Sequence, residues 1–273
     1  MSHPNVVTIA GSDPSGGAGI QADLKAFSAL GAFGTTVITA LTAQNTLGVT
    51  GIHPVPIEFI RQQWNTLTSD VQLSAVKIGM LGTREVISTV IECLESGAPE
   101  FVVLDPVMVA TSGDPLITDD AVAALWELIP HASVITPNLA EAALLLGTSP
   151  AESLDVMQSQ AHELLERGAQ SVLLKGGHLT TATEAIDVYL DENGQHEISA
   201  PWVDTQNTHG TGCSLSSAIA ALRPQRETWF EAVSEAKQWL SGALAHADEL
   251  SVGSGHGPVN HFYRLWNSSP TPE

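Results

Sequence analysis

The chain has 273 residues, and 43% of them are hydrophobic, which is enough for a large core and excludes a mostly disordered protein. With 30 Asp and Glu residues against 10 Lys and Arg, the formal net charge is -20, so a surface that binds nucleic acid or an anionic membrane is not expected. An anionic substrate would have to be held by local backbone dipoles, a few placed cations and Mg²⁺. The length suits a single domain over residues 1–273.

The cysteine count and the N-terminal residues indicate in which cellular compartment the protein is expected. Cys93 and Cys213 are too few for a disulfide framework and fall in different predicted elements. Free thiols suit a reducing environment. The N-terminal residues enter an apolar strand without a basic segment or cleavage site, and no apolar run approaches the ~20 residues that span a bilayer. We therefore expect a cytoplasmic protein.

The N-terminal residues are predicted to open a β-α-β unit. A β-branched run at 6–10 predicts a buried strand, a glycine-bearing loop follows, and apolar spacing predicts a helix over 18–30. Residues 17–22 fit the dinucleotide pattern G-x-G-x-x-A, which requires an acid roughly 20 positions later. After Asp23 the next acid is Glu58. A nicotinamide or flavin fold is therefore not favoured, and the glycines are interpreted as a substrate loop.

Strands and helices alternate along the rest of the chain. The further predicted elements are a strand at 35–42, a short strand pair at 49–55, a helix at 57–67, a strand at 75–81, a helix at 83–95, a strand at 101–104, a helix at 119–129, a strand at 133–135, a helix after 138, a helix at 153–168, a strand at 171–174, a hairpin with arms at 186–190 and 197–203, and helices after 213 and at 227–247. This alternation predicts an α/β fold, a three-layer α/β/α sandwich with a mostly parallel central sheet.

Polar side chains follow several of these strands. Gln44 lies just past the strand at 35–42 and could contact a polar ring, because ligands of open α/β sheets bind outside carboxyl strand ends; a solvated loop residue is the alternative. Asp105 follows another strand at once, and because an unpaired buried acid is costly, it is expected to face a metal, a cation or a phosphate cluster. Lys175, one of only four lysines, stands at a strand end beside two glycines, which argues against ordinary solvated surface.

Asn138 and Glu141 stand three residues apart at the start of a predicted helix. This spacing puts both side chains on one face of the helix. A bare N-x-x-E pattern is more often a helix cap than a metal site. Because the pair also follows a strand, part of an Mg²⁺ shell is the second interpretation.

A glycine-bearing loop at 207–213 runs directly into an apolar helix. A helix start offers unpaired N–H groups and the positive end of the dipole, so Gly210, Thr211 and Gly212 predict an anion site, with phosphate the usual occupant. An ordinary helix cap is the alternative. Cys213 lies in the first turn, where the same field should lower the pKa of its thiol and make it a candidate base or nucleophile. A glycine-rich tail at 253–261 could line a ligand pocket.

Together, these loops offer an anion cradle, a cation, carboxylates for Mg²⁺ and a possible base. Those groups are the requirements of phosphoryl transfer, in which positioning and charge neutralisation do most of the catalysis. The sequence contains no G-x-x-x-x-G-K-[ST] motif, so a P-loop enzyme is not expected.

Eight blocks of the sequence match one family in order and nearly end to end: 10–23, 43–46, 76–81, 105–113, 136–142, 175–178, 207–213 and 257–261. They resemble the hydroxymethylpyrimidine/phosphomethylpyrimidine kinases of the ribokinase-like superfamily. The resemblance implies that ATP phosphorylates the hydroxymethyl oxygen of 4-amino-5-hydroxymethyl-2-methylpyrimidine and then the monophosphate, in thiamine biosynthesis. It also implies a ribokinase-like fold and a homodimer.

The resemblance implies the residues of the acceptor pocket position by position. Asp23 and Gln44 would contact the aminopyrimidine edge, where a carboxylate accepts from the exocyclic amine and an amide pairs donor with acceptor. Met80 and Val107 would supply apolar walls, and Gly11 would also contact the substrate.

The phosphate side follows from the same resemblance. Asp105, Asn138 and Glu141 would organise Mg²⁺ and its waters, and Lys175 would neutralise triphosphate charge. The loop residues 210–212 would stabilise the transferring phosphoryl group.

Cys213 takes the position at which most superfamily members have an aspartate base. A neutral thiol would tolerate a monophosphate acceptor that a carboxylate repels, so cysteine suits two successive transfers. Lys237 could contribute to the nucleotide site, but it is interpreted as a solvated surface residue.

Two alternative functions stay open at this point. A pyridoxal or pyridoxine kinase of the same superfamily is the nearest. A non-catalytic pyrimidine-binding protein would be expected to lack Lys175, Glu141 or the glycine loop, and all three are present.

Overall fold

The computed structural model describes residues 3–97, 99–109, 116–177, 179 and 184–266. Its strands are β1 (Asn5–Ser12), β2 (Phe33–Asn45), β3 (Gly48–Pro54), β4 (Ala75–Ile78), β5 (Phe101–Leu104), β6 (Val134–Ile135), β7 (Val172–Lys175), β8 (Glu184–Asp191) and β9 (Gly194–Pro201). Within the described residues these strands form one sheet in the order β3-β2-β1-β4-β5-β6-β7-β8-β9. Pairing is parallel from β2 to β7, and β3, β8 and β9 join antiparallel.

Helices cover both faces of this sheet. They are α1 (Gly19–Ala29), α2 (Ile57–Thr68), α3 (Arg84–Gly97), α4 (Asp119–Leu128), α5 (Leu139–Leu146), α6 (Leu154–Glu166), α7 (Thr211–Leu222), α8 (Trp229–Ala245) and the short α9 (Tyr263–Trp266). Side chains alternate across the strands, so Val7 faces a core with α2 to α6 while Val6 faces a second core with α1, α7 and α8. The predicted three-layer α/β/α sandwich with a mostly parallel sheet is confirmed.

Two sequence predictions need correction near β2. The segment at 48–54 is one strand, not a strand pair, because its backbone pairs antiparallel with the end of β2. That pairing also extends β2 to Asn45, so Gln44 lies within the strand and not past it. The hairpin predicted around 191–194 is confirmed, with Asp191 opposite Gly194.

Parallel pairing gathers the carboxyl ends of the central strands at one edge of the sheet. Asp105 follows β5, Asn138 follows β6, and Lys175 ends β7. The block residues 110–113 and His178 lie outside the described residues. No helix in the described ranges combines the length and apolar character needed to cross a bilayer.

Candidate active site

The loop before α7 requires glycine at its last position. Gly210 is the N-cap of α7 and has φ 74° and ψ 13°, in the left-handed region. A Cβ at Gly210 would lie 1.8 Å from the carbonyl oxygen of Gly17, so the two glycine-bearing loops touch backbone to backbone. Ser214 N donates to the Gly210 carbonyl at 2.8 Å, which starts the helix. The N–H groups of Gly212 and Cys213, which precede Ser214 in the first turn, have no acceptor within the helix and can serve an anion.

A buried ion pair lies against this helix start. Lys175 Nζ donates to Asp105 Oδ1 at 3.0 Å, and a Cβ added to Gly212 would lie 3.1 Å from the same nitrogen. Thr136 and Ser216 also donate to the Asp105 carboxylate, each at 3.1 Å. Burial would raise the pKa of Asp105, but Lys175 leads the groups that hold it below its usual value. The structure therefore brings the predicted cation, acid and anion loop together.

Asn138 and Glu141 form a helix cap at the start of α5. Glu141 N donates to Asn138 Oδ1 at 2.8 Å, and Asn138 N donates to Glu141 Oε2 at 2.7 Å, which is a reciprocal capping box. Burial raises the pKa of Glu141 to about 7, with Lys175 opposing and Asp105 adding to the shift. Across the described ranges, no three His, Cys, Asp or Glu side chains are grouped as a metal site. The cap is thus confirmed, and the Mg²⁺ role stays a prediction.

The structure places Asp23, predicted at the aminopyrimidine edge, in a buried polar cluster. Asp23 is completely buried, and its two oxygens accept from Lys77 at 2.9 and 3.0 Å. Ser217 and Thr8 donate to the same carboxylate, each at 2.6 Å. Asp23 thus makes four short contacts within the protein, and its contact with the aminopyrimidine edge stays a prediction.

Lys77 is a residue that sequence reasoning missed. It lies within β4 and is completely buried, and the carboxylate of Asp23 keeps its pKa above the usual value although burial opposes this. The available signal was a lysine in the middle of an apolar strand, which is tolerated only with a buried partner.

The predicted fall in the pKa of Cys213 is wrong. Burial raises the pKa of the thiol to about 11; Lys77 and a backbone N–H of Gly19 lower it, while Asp23 and Asp105 raise it further. Desolvation and two neighbouring carboxylates therefore outweigh Lys77 and the Gly19 N–H. Cys213 is a protonated thiol at neutral pH.

The predicted pocket residues lie along the strand ends beside this cluster. A Cβ added to Gly11 would lie 3.1 Å from Met80 Sδ, so these two residues are in contact. Gln44 Nε2 lies 3.4 Å from His209 Nε2. Val107, half-buried, follows β5 and donates its N–H to the Asp105 carbonyl at 2.8 Å.

Asp13 and His209 form a second pair that sequence reasoning missed. Asp13 Oδ2 accepts from His209 Nε2 at 2.8 Å and from Ala18 N at 2.8 Å. These bonds, with others from Ser15, lower the pKa of Asp13 to about 2 although burial raises it. The imidazole lies on Gly17, where a Cβ would be 2.2 Å from His209 Cδ2. The signal was an aspartate in a glycine and serine turn, the usual place for a side chain that binds backbone N–H groups.

The glycine-rich tail packs on the same loops. His209 and Pro258 form an isolated parallel bridge, and His256 N donates to the Thr46 carbonyl at 3.0 Å. Further along, His261 Nε2 lies 2.8 Å from Ser214 Oγ in the first turn of α7. The tail therefore closes over the helix start that carries Cys213.

His261 should make folding stability depend on pH. Burial lowers its pKa to about 3, against 6.5 in the unfolded chain, so the unfolded state takes up the proton first as pH falls. The stability that neutral His261 contributes is complete above pH 6.5 and is lost between about pH 6.5 and 3. We expect wild type to lose its advantage over His261→Asn by about 1.4 kcal/mol per pH unit in this window. Urea unfolding of both proteins at pH 7, 6, 5 and 4 measures this, and parallel curves would contradict it.

The family follows from a direct comparison with known proteins. The profile described as phosphomethylpyrimidine kinase matches residues 13–260. The chain belongs to the phosphomethylpyrimidine kinase family. Every candidate residue named above except Gly11 and His261 lies inside the matched range.

Two relatives match the chain over 97% of its length. The chain is 51% identical over 267 residues to the hydroxymethylpyrimidine/phosphomethylpyrimidine kinase of Salmonella typhimurium, and the match covers 97% of this chain and 100% of that enzyme. It is 44% identical to the probable thiamine biosynthetic bifunctional enzyme, chloroplastic, of Oryza sativa subsp. japonica, covering 97% of this chain and 49% of the relative.

A solved structure shares the fold of this phosphomethylpyrimidine kinase family member at lower identity. The pyridoxal kinase from Staphylococcus aureus in complex with ADP matches with a TM-score of 0.89 and 32% identity, covering 97% of this chain and 96% of the other. Fold similarity alone therefore does not separate the two kinase activities, whereas sequence identity favours the pyrimidine kinase.

Proposed function

We propose that this chain transfers the γ-phosphoryl group of ATP to the hydroxymethyl oxygen of 4-amino-5-hydroxymethyl-2-methylpyrimidine, and then phosphorylates the monophosphate, in thiamine biosynthesis. The observation that carries the proposal is the Lys175–Asp105 pair, 3.0 Å long and held against the first turn of α7. A cation and free helix N–H groups at one point suit a phosphoryl group in transfer. The identity to the Salmonella typhimurium enzyme supports the pyrimidine acceptor.

The residues of the candidate active site have separate roles in the proposed reaction. The N–H groups of Gly212 and Cys213 would bind the equatorial oxygens of the transferring group, and Lys175 would neutralise its charge from beneath the helix start. Gln44 and Met80 would hold the acceptor ring beside them. Asp23 acts indirectly in this scheme, because it neutralises Lys77 below Cys213.

The donor set at this edge fits Mg²⁺. Asp105 and Glu141 are close enough for Asp105 to raise the pKa of Glu141, and a divalent cation would relieve that repulsion. Carboxylate oxygens, together with the amide oxygen of Asn138, are the hard ligands that Mg²⁺ prefers. Bound here, Mg²⁺ would neutralise charge on the nucleotide phosphates.

The thiol of Cys213 has a modest role in this mechanism. With a pKa raised to about 11, it is a neutral hydrogen-bonding group beside the acceptor oxygen and not a thiolate. A loose transition state requires little proton removal before the phosphoryl group is transferred. Neutrality lets the site accept both an alcohol and a monophosphate.

Cys213→Asp should separate the two phosphorylations. The substitution adds a third carboxylate beside Asp23 and Asp105, so kcat/KM for the monophosphate should fall about tenfold further than kcat/KM for the alcohol, which corresponds to a repulsion of about 1.4 kcal/mol. Cys213→Ser, which stays neutral, is the control and should reduce both reactions equally. If Cys213→Asp lowers kcat/KM by the same factor for both acceptors, or leaves both unchanged, the neutrality argument is refuted.

Product analysis tests the function directly. Purified protein is incubated with ATP, Mg²⁺ and the pyrimidine alcohol, and phosphorus NMR follows the monophosphate and then the diphosphate. Pyridoxal is the competing acceptor, because the pyridoxal kinase from Staphylococcus aureus has the same fold. A higher kcat/KM for pyridoxal would replace the proposed acceptor. Omission of Mg²⁺ should abolish turnover.

We also propose a homodimer and a cytoplasmic location. Large apolar side chains of the β2–β3 hairpin, Leu41, Leu47 and Ile52, are exposed, which supports a partner surface at this edge of the sheet. Light scattering after gel filtration measures the mass.

A further inference from the structure

Lys237 and Asp187 form a buried ion pair away from the reacting groups. Lys237 Nζ on α8 lies 2.7 Å from Asp187 Oδ2 on β8, and only 8% and 2% of the two residues are exposed. Lys237 is therefore not the solvated residue that the sequence predicts. A buried pair is weak evidence for stability, because desolvation opposes its attraction. Stability alone therefore does not explain why the chain buries these two charges.

The second oxygen of Asp187 binds the backbone next to Lys175. Asp187 Oδ1 accepts from the backbone N–H of Gly176 at 3.0 Å, and Asp187 is the cross-strand neighbour of Lys175. Gly176 is tightly enclosed, because a Cβ there would lie 2.2 Å from the Ile186 carbonyl oxygen. The peptide just past β7 is thus held by a charged acceptor in a fixed place.

This peptide carries the predicted catalytic cation. On the β6 side, the backbone N–H of Lys175 donates to the Pro137 carbonyl at 2.9 Å. On the β8 side, Asp187 holds the following residue, Gly176. The end of β7 is therefore fixed from both sides, and the ammonium of Lys175 extends from it to Asp105 and Gly212.

The use of lysine throughout the chain supports a specific role. All four lysines donate to an oxygen of the protein: Lys25 to Gly16, Lys77 to Asp23, Lys175 to Asp105 and Lys237 to Asp187. In a protein of net charge -20, none of them is simply part of a solvated surface. Lys237 is the member of this set farthest along the chain from the loops of the site.

We propose that Lys237 and Asp187 are positioning residues for phosphoryl transfer. The pair fixes the Gly176 peptide, and through it holds the ammonium of Lys175 against Asp105 and the start of α7. The inference rests on the proposed function, since it assigns Lys175 to the phosphate groups. It predicts effects on nucleotide binding and kcat, and little effect on the acceptor pocket around Gln44.

The double variant Asp187→Leu/Lys237→Met separates positioning from stability. Replacing a buried ion pair with apolar residues of similar volume is often neutral or stabilising, so the variant should stay folded, and a fall in its Tm should come only from the Gly176 N–H that is left without an acceptor. It loses the acceptor for Gly176 N–H, and a small misplacement of a catalytic group can cost about 10²-fold in rate. We expect kcat to fall at least about tenfold and the Kd for ADP, by calorimetry, to rise, with KM for the pyrimidine alcohol nearly unchanged.

Three single variants complete the experiment. Lys237→Met leaves Asp187 without its cation and should lose activity, and Lys237→Arg, which keeps the charge, should restore most of it. Glu235→Gln breaks the Arg226–Glu235 pair at the N-terminal part of the same helix and should leave kcat and ADP binding unchanged. A folded double variant with wild-type kcat and ADP affinity would overturn the proposal. If wild type binds ADP but does not phosphorylate the pyrimidine, the proposed acceptor fails, and the ADP affinities still decide the role of the pair.

Discussion

Lys175→Met is expected to lower kcat by about 10³-fold, a loss comparable to that of a donor that stabilises transition-state charge. The ammonium lies 3.0 Å from Asp105 and directly beneath Gly212, where the transferring phosphoryl group is proposed to bind. Methionine is an unbranched side chain that is one atom shorter than lysine, and it carries no charge. The repulsion between Asp105 and Glu141 would also lose its nearest opposing cation.

Steady-state kinetics with ATP and the pyrimidine alcohol, below the Tm of the variant, provide the measurement. Arg84→Met removes a cation that pairs with Glu127 on the exposed surface, so it controls for a change in total charge and should keep wild-type kcat. Lys175→Arg keeps the charge, but its planar fork does not fit the compact ammonium site, so partial activity is expected. A kcat for Lys175→Met within tenfold of wild type would remove Lys175 from the mechanism.

Gly210→Ala is expected to reduce both stability and activity. A side chain at φ 74° costs about 1–2 kcal/mol in itself, and the new Cβ would lie 1.8 Å from the Gly17 carbonyl oxygen. The position of the Cβ is fixed by the Gly210 backbone and the oxygen belongs to the Gly17 backbone, so the clash can be relieved only if the two loops separate. We therefore expect the free energy of unfolding to fall by more than about 2 kcal/mol and kcat to fall by about 10²-fold.

Gly147→Ala is the matched control for this substitution. Gly147 ends α5 at φ 72° and ψ 33°, nearly the same conformation as Gly210, but nothing lies within 4 Å of its added Cβ. It therefore reports the cost of the left-handed backbone without a clash. Urea unfolding should show the smaller loss for Gly147→Ala, with unchanged kcat. Equal losses in both variants would mean that the contact between the two glycine loops carries no energetic weight.

The sequence alone was enough to determine the fold class. Apolar strand runs at 6–10 and 101–104 alternate with helical spacing, and this periodicity follows from local geometry. It also placed Asp105, Lys175 and the loop at 207–213 at strand ends or helix starts. Since carboxyl ends of parallel strands share one edge, their meeting in space could be predicted from order along the chain.

Partner choice within the site was decided by the tertiary structure. The sequence does not show that Asp23 binds Lys77, Ser217 and Thr8, which come from three other elements. It also predicts Lys237 at the surface, whereas Lys237 pairs with Asp187 across 50 residues of chain. Neither pairing can be predicted from a periodic pattern in the sequence. A single polar residue in an apolar run shows that a buried partner is needed, but it does not show which residue is the partner.

The pKa of Cys213 also depends on contacts that only the tertiary structure decides. From the sequence, the thiol stands in the first turn of a helix, and the local dipole predicts a lowered pKa. In the folded protein, burial and the carboxylates of Asp23 and Asp105 raise the pKa to about 11. Position along the helix is a property of the sequence. Desolvation and the charges that face the sulfur depend on residues 108 and 190 positions away in the chain, and only the packing of α1, β5 and α7 brings them together.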